Sequence, residues 1–184
     1  GFAPSQQWLD RVRLGAVKLS NGCSASFVST TGLVMTNHHC ARRCIQDLST
    51  PQQDLTAGGF YARSPAEERT CPRMEINQLI GIEDVTRRVQ GVTRDLSGAA
   101  FLRAQKGEFA RIEKACQTSD KLRCEVVTLY HGGQYHLYTY RRWKKDVRLV
   151  FAPEESIAFF GGDPDNFNFP RYDLDVAFLR VYDD

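Results

Sequence analysis

The chain has 184 residues, of which 42% are hydrophobic and 25% charged, and this composition is typical of one globular domain with a substantial core. Its net charge of +2, from 24 basic and 22 acidic residues, lacks the strong basic excess of nucleic-acid-binding proteins, so we expect no nucleic-acid partner. No apolar run approaches the roughly 18 residues that a membrane helix needs, so we expect no membrane span.

Short strands separated by turns are predicted at the start of the chain. Residues 14–36 alternate in polarity, are rich in Val, Phe, Ser and Thr, and contain the turn signals Asn-Gly and Thr-Gly. This pattern predicts a β-meander with strands over residues 15–20, 23–30 and 33–39. In this prediction His38 and His39 lie at the end of the third strand.

One helical insertion is predicted between about residues 82 and 119, because Glu83 and Asp84 lie at its start and apolar residues then recur near helical spacing. On both sides of this insertion, polar and apolar residues alternate. This pattern predicts strands over residues 74–80, 124–130, 134–143, 146–153 and 175–182. These short segments predict a mostly β fold, with six or seven strands in its sheet. We expect a small antiparallel barrel that occupies residues 1–184 as a single domain.

Six cysteines are more than a cytosolic domain of this size usually carries, and their even number indicates disulfides formed in an oxidising compartment. A bond between Cys23 and Cys40 would fasten the second strand to the end of the third. By exclusion and local proximity, the remaining pairs are Cys44 with Cys71 and Cys116 with Cys124.

The His-His-Cys sequence at residues 38–40 has two chemical interpretations. A zinc site would draw on His38, His39, Cys40 and Cys44, but adjacent residues on a strand point to opposite faces and cannot easily share one metal ion. We therefore predict no metal and no cofactor. For His38 the favoured interpretation is structural, as a hydrogen-bonded and half-buried side chain at a strand end.

The setting of His39 resembles that of the general base in trypsin-like serine proteases. A histidine directly precedes a cysteine after an apolar strand, and a disulfide beside it would fix the backbone from which the base projects. The resemblance requires a buried carboxylate that orients the imidazole. We predict that Asp175 has this role, because its sequence DVAFLR resembles the segment that carries the acid in those proteases. Asp173, two residues earlier, is the rival.

A narrower resemblance covers roughly residues 14–184. The sequence GLVMTNHHC and, most specifically, residues 148–182 resemble the bacterial dipeptidyl-peptidases seven and eleven, a family of double-barrel serine exopeptidases. The resemblance implies that this chain is the first, trypsin-like barrel, with His39 as the base and Asp175 as the acid. It also implies that Asn166 binds the free α-amino group of the substrate and that Phe167 lines the same subsite.

The same resemblance implies a peptide substrate with a free N-terminus, a periplasmic or secreted location, and a homodimer. The sequence has no nucleophile segment of the GxSGxP type. We therefore expect the serine, the oxyanion hole and the pocket for the P1 side chain to lie in a C-terminal half that completes the enzyme, and these residues alone to be inactive. Two alternatives stay open: a trypsin-like endoprotease barrel, and a non-catalytic binding module on the same fold.

Overall fold

The computed structural model describes residues 1–160 and 172–182. The helices in these residues are α1 (Gln6–Gly15), α2 (His38–Leu48), α3 (Leu55–Gly58), α4 (Thr86–Thr93), α5 (Gly98–Cys116) and α6 (Glu155–Ala158). The strands are β1 (Ala16–Leu19), β2 (Ser24–Phe27), β3 (Leu33–Thr36), β4 (Phe60–Tyr61), β5 (Arg69–Thr70), β6 (Ile76–Asp84), β7 (Leu122–Leu129), β8 (Gln134–Trp143), β9 (Val147–Ala152) and β10 (Ala177–Val181).

The chain divides into two compact units. The histidine unit comprises Gly15–Ile76 and Trp143–Asp184, and the helical unit comprises Gly1–Leu14 and Asn77–Arg142. The mostly β class with a helical insertion is confirmed, since ten strands lie in the described residues and α4 and α5 lie within the predicted insertion. That one barrel domain spans residues 1–184 stays a prediction.

Seven strands form the antiparallel sheet of the histidine unit, in the order β4-β9-β10-β3-β2-β1, with β5 also paired to β9. Val34, Leu149 and Leu179 lie on the three central strands and are fully buried, together with Ile45 of α2. Burying aliphatic side chains of this size stabilises a fold by about 1.5–3 kcal/mol each. The core therefore lies between this sheet and α2.

Helix α2 begins where the sequence pattern predicts continued strand. The prediction of one strand over residues 33–39 is wrong at its end, because β3 ends at Thr36 and α2 begins at His38. The buried side chains of α2 include His38, Ala41 and Ile45, which share one helix face. The histidines are therefore placed by the first turn of a helix, and the strand argument used against a shared metal ion does not apply to them.

The pairing of β3 with β10 brings together segments that lie far apart in the sequence. The two strands are antiparallel, with Thr36 opposite Ala177. The chain that leaves β3 therefore runs beside the chain that enters β10. This register places the first turn of α2 next to Asp175, which comes two residues before β10.

The helical unit has its own core. Val89 of α4 and Ile112 of α5 are buried against Val126 of β7, and β7 pairs with β8 over its whole length. The carboxylate of Glu108 on α5 is buried and accepts hydrogen bonds from Arg88 at 2.6 Å and Arg111 at 2.7 Å. These two hydrogen bonds hold the pKa of Glu108 below its usual value, and the bond from Arg111 has the larger effect.

Three disulfide bonds link the cysteines in the predicted pairs. Two of them, Cys23–Cys40 and Cys44–Cys71, lie in the histidine unit, and Cys116–Cys124 lies in the helical unit. Both disulfides of the histidine unit include a residue of α2, so this helix is covalently tied to the chain on both sides of it. Among the described residues, no helix is long and apolar enough to cross a membrane.

Candidate active site

Asp175 and His39 form a close hydrogen-bonded pair in the histidine unit. Oδ2 of Asp175 lies 2.7 Å from Nδ1 of His39, and Oδ1 of Asp175 accepts the backbone N–H of His39 at 3.0 Å. The Asp175 side chain is only 6% exposed, whereas the His39 side chain is 43% exposed. A buried carboxylate thus orients an imidazole that stays accessible to a reaction partner.

Asn37 supplies a further contact to the same carboxylate. Its Nδ2 lies 3.0 Å from Oδ2 of Asp175 and 3.2 Å from the backbone carbonyl oxygen of Asp175. With the two donors of His39, the carboxylate receives three hydrogen bonds. These three contacts fix the orientation of the carboxylate relative to the imidazole.

His38 points into the protein, in contrast to His39. It is buried, it hydrogen-bonds to the backbone of Pro153, and its Nε2 has no hydrogen-bond partner among the described residues. Burial lowers the pKa of His38, and the nearby charges of Asp175 and Glu155 oppose that shift only in part. The predicted structural role agrees with this burial. The side chain is more deeply buried than predicted, and it lies in a helix and not at a strand end.

The Cys23–Cys40 disulfide lies beside the candidate base. Cys40 directly follows His39 in α2, and Asn21 reinforces the same connection, because its Nδ2 donates to the Cys40 carbonyl at 2.9 Å. The side-chain oxygen of Asn21 accepts the backbone N–H of Cys23 at 3.2 Å. The β1–β2 turn is therefore fastened to the first turn of α2 by one covalent bond and one hydrogen bond, and the second hydrogen bond of Asn21 stabilises the turn itself.

A metal site at this position is disfavoured by the same disulfide. Within residues 1–160 and 172–182, potential ligand atoms of Cys23, His39 and Cys40 lie within 4.8 Å of one another. Both sulfur atoms are bonded to each other, however, and zinc binds cysteine as a thiolate. His39 is thus left as a single candidate ligand in this group.

The remaining predicted site residues are distributed differently. Asp173, the rival acid, is half-buried, and the contacts to His39 are made by Asp175 instead. Asn166 and Phe167 lie outside the described residues.

Comparison with known proteins identifies the family. The model of the family "Peptidase S46" matches residues 1–184. The chain belongs to the peptidase S46 family. Among curated S46 relatives, it is 39% identical over 161 residues to an Asp/Glu-specific dipeptidyl-peptidase of Shewanella putrefaciens, covering 87% of this chain and 22% of that protein. It is 33% identical over 169 residues to a dipeptidyl-peptidase 7 of Capnocytophaga gingivalis, covering 91% of this chain and 24% of that protein.

Solved structures give the same relationship. The crystal structure of Porphyromonas endodontalis DPP11 matches with a TM-score of 0.82 and 32% identity over 94% of this chain and 25% of that chain. Its complex with substrate matches with a TM-score of 0.80. The predicted resemblance and fold class are thereby confirmed. This S46 chain spans about a quarter of the length of these relatives.

The contact of Asn37 with Asp175 was not predicted from the sequence. The available signal was an asparagine directly before a segment with apolar residues at helical spacing, which is typical of a helix N-cap. That signal predicts the start of a helix, but it does not predict that the side chain contacts a residue 138 positions away.

Proposed function

We propose that this S46 chain carries the base and the acid of a serine-peptidase triad, in an enzyme that releases dipeptides from the free N-terminus of peptides. The observation that supports this most directly is the 2.7 Å contact between Nδ1 of His39 and Oδ2 of Asp175. A buried acid that orients an accessible imidazole is what general-base catalysis by the histidine of a triad requires, and the adjacent disulfide fixes the backbone from which the imidazole projects.

In the proposed mechanism, Asp175 keeps the His39 proton on Nδ1. The opposite ring nitrogen, Nε2, is then free to take the proton of a serine hydroxyl as that oxygen attacks the scissile carbonyl. The negative charge of Asp175 stabilises the imidazolium that results. His39 afterwards gives the proton to the leaving amine, and water repeats the cycle on the acyl-enzyme.

The serine nucleophile is proposed to come from another part of the protein. On β2, Ser26 is used structurally, because its Oγ donates to the Gly15 carbonyl at 3.2 Å. Ser29 is used in a turn, where its Oγ accepts the backbone N–H groups of Thr31 and Leu33. Neither hydroxyl has the exposed, glycine-flanked setting of a nucleophile, so we expect these residues alone to be inactive.

The proposed substrate is a peptide with a free α-amino group. Family membership supports it, since the curated relatives are named dipeptidyl-peptidases. Asn166 and Phe167 are the residues that we propose for binding the amino group and lining its subsite. A neutral amide oxygen can accept hydrogen bonds from the ammonium group and offset its desolvation.

A periplasmic or secreted location and a homodimer are part of the same proposal. The location is supported by the three disulfides, because such bonds persist in oxidising compartments and are rare in the cytosol. The homodimer rests on the family resemblance.

The experiment that tests the proposed function compares two peptides that differ only in an acetyl group on the N-terminus. The whole protein that carries this chain is expected to release a dipeptide from the free peptide and none from the acetylated one. Replacement of His39 by Ala should abolish the release. Equal cleavage of both peptides would instead support a trypsin-like endoprotease, and no cleavage of any peptide would support a binding module.

A further inference from the structure

Asn37 is the N-cap residue of α2, but its side chain does not cap the helix. Its backbone is extended, with φ −75° and ψ 150°, as expected for an N-cap. Asparagine is favoured at this position because its side-chain oxygen usually accepts a backbone N–H of the first turn. In this protein no such bond is made, and Nδ2 is instead directed to Asp175.

Asp175 accepts the capping hydrogen bond that the Asn37 side chain does not make. Its Oδ1 accepts the backbone N–H of His39, the second residue of α2, at 3.0 Å. The carboxylate of Asp175, in the segment before β10, therefore caps the N-terminus of α2. The location is electrostatically favourable, because the N-terminal end of a helix carries a partial positive charge.

The direction of the Asn37 amide follows from chemistry. Both groups that face it, the carboxylate and the carbonyl oxygen of Asp175, can only accept hydrogen bonds at neutral pH. The amide nitrogen must therefore point towards Asp175. One side chain thus holds the backbone and the carboxylate of the same residue.

We propose that Asn37 is a positioning residue for the His39–Asp175 pair: it gives up the capping of α2 to Asp175 and holds that carboxylate with Oδ2 directed at the His39 ring. The torsion that orients an aspartate carboxylate has a broad energy profile. A second donor on Oδ2 therefore restricts the orientations that the Asp175 carboxylate can adopt. The kinetic consequence of this inference rests on the proposed function, whereas its structural consequence does not.

Two variants separate positioning from helix capping. Serine is about as good an N-cap as asparagine, but its side chain is too short to hold both groups of Asp175. Asn37→Ser therefore keeps a capping residue and loses the contacts to Asp175. Asn37→Ala loses both. The matched control is Asp54→Ala, which removes an N-cap side chain that accepts the N–H groups of Thr56 and Ala57 on α3.

The first measurement is the NMR spectrum of the whole protein with ¹⁵N-labelled histidine at neutral pH. In the native protein we expect the His39 proton on Nδ1, with slow exchange into water. In Asn37→Ser and Asn37→Ala we expect this signal to broaden or disappear and the other tautomer to become populated. In Asp54→Ala the signal should be unchanged.

The second measurement is the rate of dipeptide release. Asn37→Ser should lower kcat by about 10²-fold, the effect of a misplacement near 1 Å, with little change in KM. A native Nδ1–H signal and a native kcat in Asn37→Ser would overturn the proposal. If the native protein releases no dipeptide but the NMR signal is lost in Asn37→Ser, the proposed function fails while the positioning by Asn37 stands.

Discussion

Asp175 holds His39 at two points, since one carboxylate oxygen accepts the ring N–H and the other accepts the backbone N–H. The first bond orients the imidazole, and the second fixes the helix turn from which the imidazole projects. Because the two contacts share one carboxylate, the position of the ring and the position of the helix are linked. Loss of the carboxylate charge should therefore affect the candidate base more than loss of any other nearby group.

Asp175→Asn tests this expectation in the whole enzyme. The amide oxygen can replace one acceptor, but the NH₂ group cannot accept a hydrogen bond from the His39 ring, so the imidazole should change tautomer. The corresponding change in a serine-protease triad lowers kcat by about 10⁴-fold, and we expect a loss of the same order. The rate of dipeptide release is the measurement.

Asp173→Asn is the matched control for that variant. It makes the same chemical change two residues away, at the side chain that the sequence analysis left as the rival acid. We expect activity close to that of the native enzyme. A large loss in Asp173→Asn together with a small loss in Asp175→Asn would reverse the assignment of the acid.

The Cys23–Cys40 disulfide should matter for both stability and activity. It closes a loop of 17 residues, and loop-closure entropy predicts a loss of about 3 kcal/mol in the free energy of unfolding when both cysteines are replaced by Ser. Because this bond ends next to His39, we also expect lower kcat. Denaturant unfolding and the rate of dipeptide release would measure the two effects.

Replacement of Cys116 and Cys124 by Ser provides the comparison. Their separation of 8 residues predicts a loss of about 2.5 kcal/mol, close to the first value. This disulfide lies in the helical unit, so kcat should stay near the native value at temperatures where the protein is folded. An equal loss of kcat in both double variants would mean that stability alone explains the effect.

The pairing of His39 with Asp175 could be predicted from the sequence, but its local geometry could not. The motif around His39 and the segment that starts at Asp175 each resemble protease sequences, and the structure brings them together through the pairing of β3 with β10. The sequence pattern does not predict that His39 lies in a helix. The alternation of buried and more exposed residues along β3 continues into the first residues of α2. The spacing of Ala41 and Ile45 is helical, but α2 has only 11 residues, about three turns, so the helical pattern is short.

The disulfides were predictable and the polar contacts were not. Once Cys23 is joined to Cys40, the other four cysteines allow three pairings, and local proximity along the chain favours the pairing that the structure has. A hydrogen bond such as that from Asn37 to Asp175 depends on the register of two strands and on the rotamer of one side chain. Neither is encoded in a local pattern of residues.

His38 should make the protein less stable in acid. Burial lowers its pKa below the ordinary value of 6.5, although Asp175 and Glu155 raise it in part and Arg42 lowers it further. Well above pH 6.5 the ring is neutral in both the folded and the unfolded state, so it contributes no pH dependence there. As the pH falls below 6.5, the unfolded chain takes up a proton that the folded protein resists, and stability decreases.

His38→Gln should reduce this acid loss. The measurement is the free energy of unfolding of both proteins at several values between about pH 7 and pH 5, the range in which a histidine ordinarily titrates. The variant should gain stability relative to the native protein as the pH falls. His131→Asn, which changes an exposed histidine in the turn Tyr130–Gly132, should follow the native curve. Parallel curves for the native protein and His38→Gln would contradict the prediction.

Glu68 anchors β10, the strand that follows Asp175. Its side chain is only 2% exposed, and it accepts hydrogen bonds from Nε of Arg180 and from the hydroxyl of Tyr182, both at 2.8 Å. Glu68→Ala leaves a largely buried guanidinium without its counter-charge. Breaking a buried ion pair in this way costs about 3–5 kcal/mol, so we expect a loss of that size in the free energy of unfolding.

A double-mutant cycle measures how much of that loss belongs to the pair. Arg180→Leu and the double variant Glu68→Ala/Arg180→Leu complete the cycle, and the double variant should be less destabilised than the sum of the two single variants. Arg43→Ala, which removes an exposed arginine from its contact with Asp47, should cost much less, because solvent screens exposed pairs. Additive losses in the cycle would mean that Glu68 stabilises β10 through its hydrogen bond with Tyr182 or through packing, and not through Arg180.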